Sequence, residues 1–171
     1  MLSNIKSILL TILVIFLLPF EICSFSDLEN SVKRSLSELG FTSIGLRQNI
    51  MNQFEVKAKI NGKHEMTLII NFSLPKTIFD KESLDDFGIE TFETNQSYSL
   101  NDDEEDMYAA TIDSLNIGSG KINAMDLIAV DYEDFDYLEY SRAGGILGRD
   151  FLLKYHAIID FSNQILYLKT N

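Results

Sequence analysis

The chain has almost no cysteine. Cys23 is the only one in 171 residues, so no disulfide framework and no cysteine-based metal site can form within one chain. Tryptophan is absent. Basic residues are scarce: 14 Lys and Arg stand against 26 Asp and Glu, giving a formal net charge of -12 and a pI of about 4.5. A nucleic-acid interface needs a basic patch, and none occurs, so nucleic acid is not an expected partner. The acidity favours solubility and repels anionic partners. Internal repeats are missing, and so is any sign of a second domain. The acidic peak Asn101-Asp102-Asp103-Glu104-Glu105-Asp106 lacks the alternating ligands, central Gly and later Glu of a calcium loop, so it reads as a solvated loop or hairpin tip. No metal and no cofactor are expected.

What is present fits one globular domain of ordinary size, with 46% hydrophobic and 23% charged residues. Residues 1–24 read as a secretory signal. Lys6 supplies a positive n-region, and Ile8 to Phe20 is an apolar run broken only by Thr11 and Pro19. That run is shorter than the ~20 residues of a comfortable membrane span, so no membrane contact is expected beyond it. Ser24 precedes the expected cut, and the mature chain is expected to be periplasmic or secreted. An uncleaved anchor is the alternative. A lipoprotein anchor at Cys23 fits worse, because charged Glu21 and bulky Ile22 precede it.

Residues 25–40 read as a helix. Ser26-Asp27-Leu28-Glu29 fits a capping box, Leu28, Val32, Leu36 and Leu39 fall on one packing face, and Gly40 suits the stop. The domain proper is expected over residues 41–171. Phe41 to Leu46 reads as a strand. Phe54 to Ile60 alternates apolar and polar residues, Asn61-Gly62 is a strong hairpin turn, and His64 to Ile70 returns. His64 reads as an exposed hairpin residue. Ile78-Phe79 and then a helix from Lys81 to Phe87, stopped at Gly88, follow. Asp86-Phe87-Gly88 spells the kinase metal-binding tripeptide. With no glycine-rich loop, catalytic Lys or His-Arg-Asp beside it, it is a chance match. Tyr108 to Leu115 and Met125 to Val130 read as strands joined through a turn at Ile117 to Ile122. Asp131 to Tyr140 reads as a surface loop.

The most informative stretch runs from Gly144 to Phe161. Ile146-Leu147 is apolar, and Gly148 permits a turn that a side chain would obstruct. Phe151, Leu152 and Tyr155 take helical spacing, and Ala157 to Phe161 suits a buried strand. Ser162-Asn163-Gln164 turns the chain into Ile165-Leu166-Tyr167-Leu168, so it ends in a hairpin.

Two apolar residues and a Gly, then Arg149-Asp150, a short helix, Ile158-Ile159-Asp160, a turn and a Leu-x-Leu strand resemble the C-terminal half of retropepsin-like, single-lobe aspartic proteases of the bacterial periplasmic or secreted branch. The resemblance extends over about Phe41 to Lys169. It implies a mostly β, single-lobe acid-protease barrel with short helices, here preceded by the N-terminal helix. In such a domain the strand after the Asn-Gly hairpin delivers Asp-Thr/Ser-Gly. Two such Asp residues, one per copy in a homodimer, share a proton and activate water. The apolar strand Met66-Thr67-Leu68-Ile69-Ile70 and the following Thr77-Ile78-Phe79-Asp80 both match the pattern. The tripeptide between them does not. Asn71 takes the Asp position, Phe72 the Thr/Ser position and Ser73 the Gly position. Leu74-Pro75 departs from the usual small residues, and Tyr98-Ser99-Leu100 stands where many relatives carry flap glycines. Gly148, Arg149 and Asp150 match a structural motif, whose implied role is to brace the helix and the dimer contacts.

An amide cannot ionise or carry the shared proton, so Asn71 cannot serve as general base. No Asp-Thr-Gly or Asp-Ser-Gly occurs elsewhere; Asp113-Ser114-Leu115 comes nearest. Three readings follow. The first is an inactive pseudo-protease that binds or scaffolds a peptide or protein. The second is an active homodimeric endopeptidase using another carboxylate, Asp80 or Asp113. The third is a structural envelope protein.

Overall fold

The computed structural model describes residues 25–100, 103–132 and 143–170. The expected signal segment 1–24 and residues 133–140 of the expected surface loop lie outside the described residues. The chain divides into two units, Met1–Arg34 and Ser35–Asn171.

Helix α1 spans Phe25–Glu38 and stops at Gly40, which takes the left-handed φ of +86° that favours glycine. Ser26 stands inside the helix rather than before it, so the expected capping box is displaced.

The strands are β1 (Thr42–Gly45), β2 (Arg47–Gln48), β3 (Phe54–Ile60), β4 (His64–Ile70), β5 (Ile78–Asp80), β6 (Thr91–Leu100), β7 (Asp103–Ile117), β8 (Gly120–Val130), β9 (Gly145–Leu147), β10 (Ile158–Asp160) and β11 (Ile165–Leu168). Two short helices, α2 (Lys81–Asp86) and α3 (Arg149–Lys154), interrupt them. The larger sheet runs β2-β3-β4-β9-β5-β8-β7-β6. A further pairing of β3 with β7 closes six of these strands into a barrel. Its interior holds Val56, Ile60, Leu68, Phe79, Leu115 and Leu147, all fully buried. A small sheet, β1-β11-β10, is built on the C-terminal hairpin.

The β3–β4 hairpin follows from its sequence. Asn61 and Gly62 both have positive φ, 51° and 67°, as a type I′ turn requires, and Lys63 N–H donates to the Ile60 carbonyl at 3.0 Å. The Asn61 side chain also accepts from the amides of Asp113 (2.8 Å) and Ser114 (3.1 Å), tying the turn to β7.

Three expectations change. The strand expected to be buried over Ala157 to Phe161 lies at a sheet edge instead, with Ile158 and Phe161 exposed and Ile159 and Asp160 half-buried. The polar stretch read as a loop or hairpin tip takes the hairpin form in its described residues, with β6 and the first part of β7 paired as far as Leu100 opposite Asp103. Its strands satisfy each other's backbone, so apolar alternation is not needed to hold them extended. His64 is half-buried rather than exposed and stacks on Phe87, with ring centroids 4.6 Å apart. Tyr132, expected in a surface loop, is buried, and its hydroxyl donates to the Ile78 carbonyl at 3.1 Å.

Candidate functional site

Two strands that are remote in sequence deliver the candidate site. β4 and β9 lie side by side in parallel, with Ile70 opposite Leu147. The Asn71 amide then donates to the Leu147 carbonyl at 3.1 Å. The structure thus brings the Asn71 turn against the Ile146-Leu147-Gly148 stretch.

Beyond that bond the chain turns sharply. Asn71 Oδ1 accepts from the Ser73 amide at 3.0 Å, and the Asn71 carbonyl accepts from the Leu74 amide at 3.2 Å. This is the local side-chain-to-backbone turn that Asn and Asp both favour. Asn71 is half-buried, Ser73 is exposed, and Phe72 leaves 61% of its surface in solvent. Leu74, by contrast, is buried.

The loop is fastened from below by the Gly148-Arg149-Asp150 corner. Asp150 Oδ1 accepts from Thr77 N, Thr77 Oγ1 and Phe151 N, each at 2.8 Å. The Gly148 amide donates to Thr77 Oγ1 at 2.9 Å, and the Arg149 amide donates to the Leu74 carbonyl at 2.8 Å. A Cβ on Gly148 would overlap the Lys76 carbonyl and lie 2.8 Å from Thr77 N, so the close approach of the two segments requires glycine. Arg149 itself is exposed.

Of the two alternative carboxylates, one is engaged in a helix cap and the other is remote. Asp80 caps α2, accepting from Ser83 N (2.9 Å) and Ser83 Oγ (2.6 Å). Asp113 sits beside the Asn61 turn, at the far end of β4 from Asn71. A seven-residue strand separates them by roughly 20 Å. Among the described residues, no group of three or more His, Cys, Asp or Glu side chains could hold a metal ion.

Sequence reasoning left Thr77 and Tyr98 without a role at the site. Thr77 is buried and stands at the centre of the Asp150 network. Its partner lies 73 positions away, beyond any local signal. Tyr98 reaches the apolar face beside the Asn71 loop and is 9% exposed. Burial pushes its phenol above the ordinary 10.0, and the Asp150 carboxylate adds to that shift. In the sequence, Tyr98 showed only as a departure from the flap glycines of the resembled family.

No family model and no curated protein sequence matches the chain. Solved structures do. A retropepsin-like aspartic protease from Rickettsia conorii superposes with a TM-score of 0.55 at 18% identity, over 75% of this chain and 90% of that one. The chain has the retropepsin-like fold. The retroviral protease-like domain of Ddi1 from Leishmania major gives 0.52 at 12% identity, over 70% and 90% of the two chains. The EIAV protease complexed with an inhibitor gives 0.50 at 10% identity, over 67% and 99%. Within the retropepsin-like fold, the parallel β4–β9 pair and the Gly148 corner frame the Asn71 turn.

Proposed function

We propose that this chain is an exported pseudo-protease: a retropepsin-like domain that binds a peptide or protein segment and does not hydrolyse it. The reading is carried by Asn71. The loop between β4 and Thr77 is where the resemblance calls for an ionisable Asp, and it presents an amide there, pinned through its backbone to Leu147. A carboxylate pair works because its two groups share one proton and can both take and return it, and two carboxamides can do neither. Phe72 supplies no hydroxyl to brace a partner loop. Asp80 is committed to a helix cap and Asp113 is remote, which weakens the alternative of an active endopeptidase using another carboxylate.

Homodimerisation belongs to the same reading. β10 pairs only with β11, so one edge of the small sheet is open among the described residues, and Ile158 and Phe161 are exposed beside it. An open edge strand flanked by apolar side chains is a template for pairing with another chain.

The test is incubation of the purified protein with a diverse peptide pool, read by mass spectrometry for both cleavage and capture. Capture without cleavage is expected between about pH 3 and 7, where a carboxylate dyad would be half-protonated. Cleavage sensitive to a statine-type inhibitor defeats the proposal.

A further inference from the structure

A cavity of about 260 Å³ opens between β8 and α3, against the Gly148-Arg149-Asp150 corner. Thr77 and Asp150 line it, and none of the residues from Asn71 to Leu74 does. Its buried lining is apolar. Phe79, Leu127 and Phe151 are buried, and Met125 and Tyr155 are half-buried beside them. The Phe151 and Tyr155 rings meet with centroids 4.6 Å apart.

Its exposed lining carries charge of both signs, from Asp126, Asp150 and Lys154. Each charge is only partly used. Asp150 takes its three donors on Oδ1, and Asp126 takes the Thr111 hydroxyl on Oδ1 at 3.0 Å. One carboxylate oxygen of each is left for a further donor. Lys154 holds its Nζ 5.3 Å from the centre of the Tyr155 ring and forms no salt bridge among the described residues.

β8 is irregular at the lip. Ala124 has a φ of +33°, and the β7–β8 register passes from Ser114 opposite Asn123 to Ile112 opposite Met125 with no pair at Ala124. A side-chain-bearing residue held at that φ is strained, and strain of this kind gathers where a fold binds or switches.

Size and charge together select an occupant. The cavity lies just below the ~300–1,000 Å³ of sites for drug-sized ligands, so the occupant is small. Its apolar depth calls for a large apolar group. A simple anion would meet two carboxylates, and a simple cation would meet Lys154. A zwitterion answers both signs through charge-assisted bonds, with an ammonium toward Asp126 and Asp150 and a carboxylate toward Lys154.

We propose that this cavity is a binding site for a free α-amino acid with a large apolar side chain, leucine or phenylalanine in kind. The side chain lies on Leu127, Met125, Phe151 and Tyr155. The wall it presses on also fastens the Asn71 loop: Asp150 holds Thr77, and the Arg149 amide next to it holds the Leu74 carbonyl. Occupancy therefore stiffens that loop, which makes the site a regulatory one. It invokes no chemistry at Asn71 and stands apart from the pseudo-protease reading.

Calorimetric titration of the full chain tests the site. L-leucine and L-phenylalanine should each bind saturably at one site. Glycine lacks the apolar side chain, N-acetyl-leucine the ammonium and leucinamide the carboxylate, and each should bind at least about tenfold more weakly than L-leucine. Asp126→Asn and Lys154→Gln should each weaken L-leucine by about tenfold, while both variants melt as wild type does because the two positions are exposed. In hydrogen exchange, L-leucine should slow the amides of residues 73–77 and leave the β3–β4 turn unchanged. Failure of both amino acids to bind overturns the site, and so does glycine binding as tightly as L-leucine. Undiminished L-leucine binding by both variants overturns it as well, because the amino acid then sits elsewhere. Binding without slower exchange at residues 73–77 overturns the regulatory coupling.

Discussion

Asp150 and Thr77, 73 positions apart, are joined twice: one carboxylate oxygen accepts both the amide and the hydroxyl of Thr77, each at 2.8 Å. The same oxygen takes the Phe151 amide, and the Thr77 hydroxyl in turn accepts the Gly148 amide. Asp150→Ala leaves the buried Thr77 donors unsatisfied, so it should cost about 2–3 kcal/mol in urea unfolding. Thr77→Val should couple to it by about 1 kcal/mol or more in a double-mutant cycle. Additive losses would show that the bonds do not work as one unit.

Gly148→Ala should be among the most damaging single-methyl changes in the chain. The added carbon overlaps the Lys76 carbonyl, which is backbone and cannot rotate aside. A loss of about 3 kcal/mol is expected from overpacking of this kind. Gly62→Ala has open space around its Cβ and only its positive φ to strain it, so it should cost less, about 1 kcal/mol. Thermal melts of the two variants measured side by side decide the order.

The parts of the fold that could be read from sequence are those whose signals are local. Asn61-Gly62 dictates its own turn, and Gly148 to Leu168 spells helix, strand and hairpin within about 20 residues. The extent of β6 was not legible, because only Phe92, Tyr98 and Leu100 interrupt the polar run from Thr91 to Leu100 and the strand owes its extension to β7. Tyr132 was hidden by the acidic residues around it. The Asp150–Thr77 bonds and the parallel β4–β9 register join distant segments, and periodicity carries no information about either. Around Asn71, the tripeptide could be compared with the resembled pattern from the residues alone, and Tyr98 was noted only as a flap departure; that its ring joins the apolar cluster of Ile69, Ile78 and Ile146 links distant segments, which no local signal reports.

Stability should be lost at both ends of the pH scale. Glu65 is held below its ordinary value by its hydrogen bond to Lys59, Asp85 by its bond to Lys81, and Asp160 by its bond to Asn163. A depressed carboxylate stabilises the fold above its unfolded pKa and gives this up as pH falls through the folded one, here below about 4.5. Glu65 and Asp85 are exposed and Asp160 is only half-buried, so the effect should be modest and shrink further in salt. Tyr98 has the opposite sign. Its folded pKa is raised, so its contribution is intact below 10.0 and fades as pH rises beyond it. A Tm that is flat through neutrality and falls on both sides is expected, and Tyr98→Phe should soften the alkaline fall.

Two properties of the intact protein can be checked together. Mass spectrometry of exported material should find an N-terminus near Phe25, and a soluble cytoplasmic chain still beginning at Met1 would remove the export proposal. Sedimentation of the mature protein should show a dimer that Ile158→Asp weakens, because a charge beside the open β10 edge discourages strand pairing. An unchanged distribution for Ile158→Asp would place any self-association elsewhere.

The strongest test of inactivity is reconstruction. Asn71→Asp alone should yield almost no cleavage, because Phe72 still lacks a bracing hydroxyl and Ser73 still carries a side chain where close backbone approach is wanted. The triple change Asn71→Asp, Phe72→Thr, Ser73→Gly rebuilds the ionisable pair, the brace and the clearance. Each step has its own signature. Activity restored by the triple variant should have a bell-shaped pH profile from the shared proton and should rise with the square of protein concentration below the dimer constant. It should exceed the single variant by about 100-fold, the scale of a positioned acid–base group. If wild type cleaves as fast as the triple, Asn71 was never the missing part, and a carboxylate outside the Asn71 loop does the chemistry.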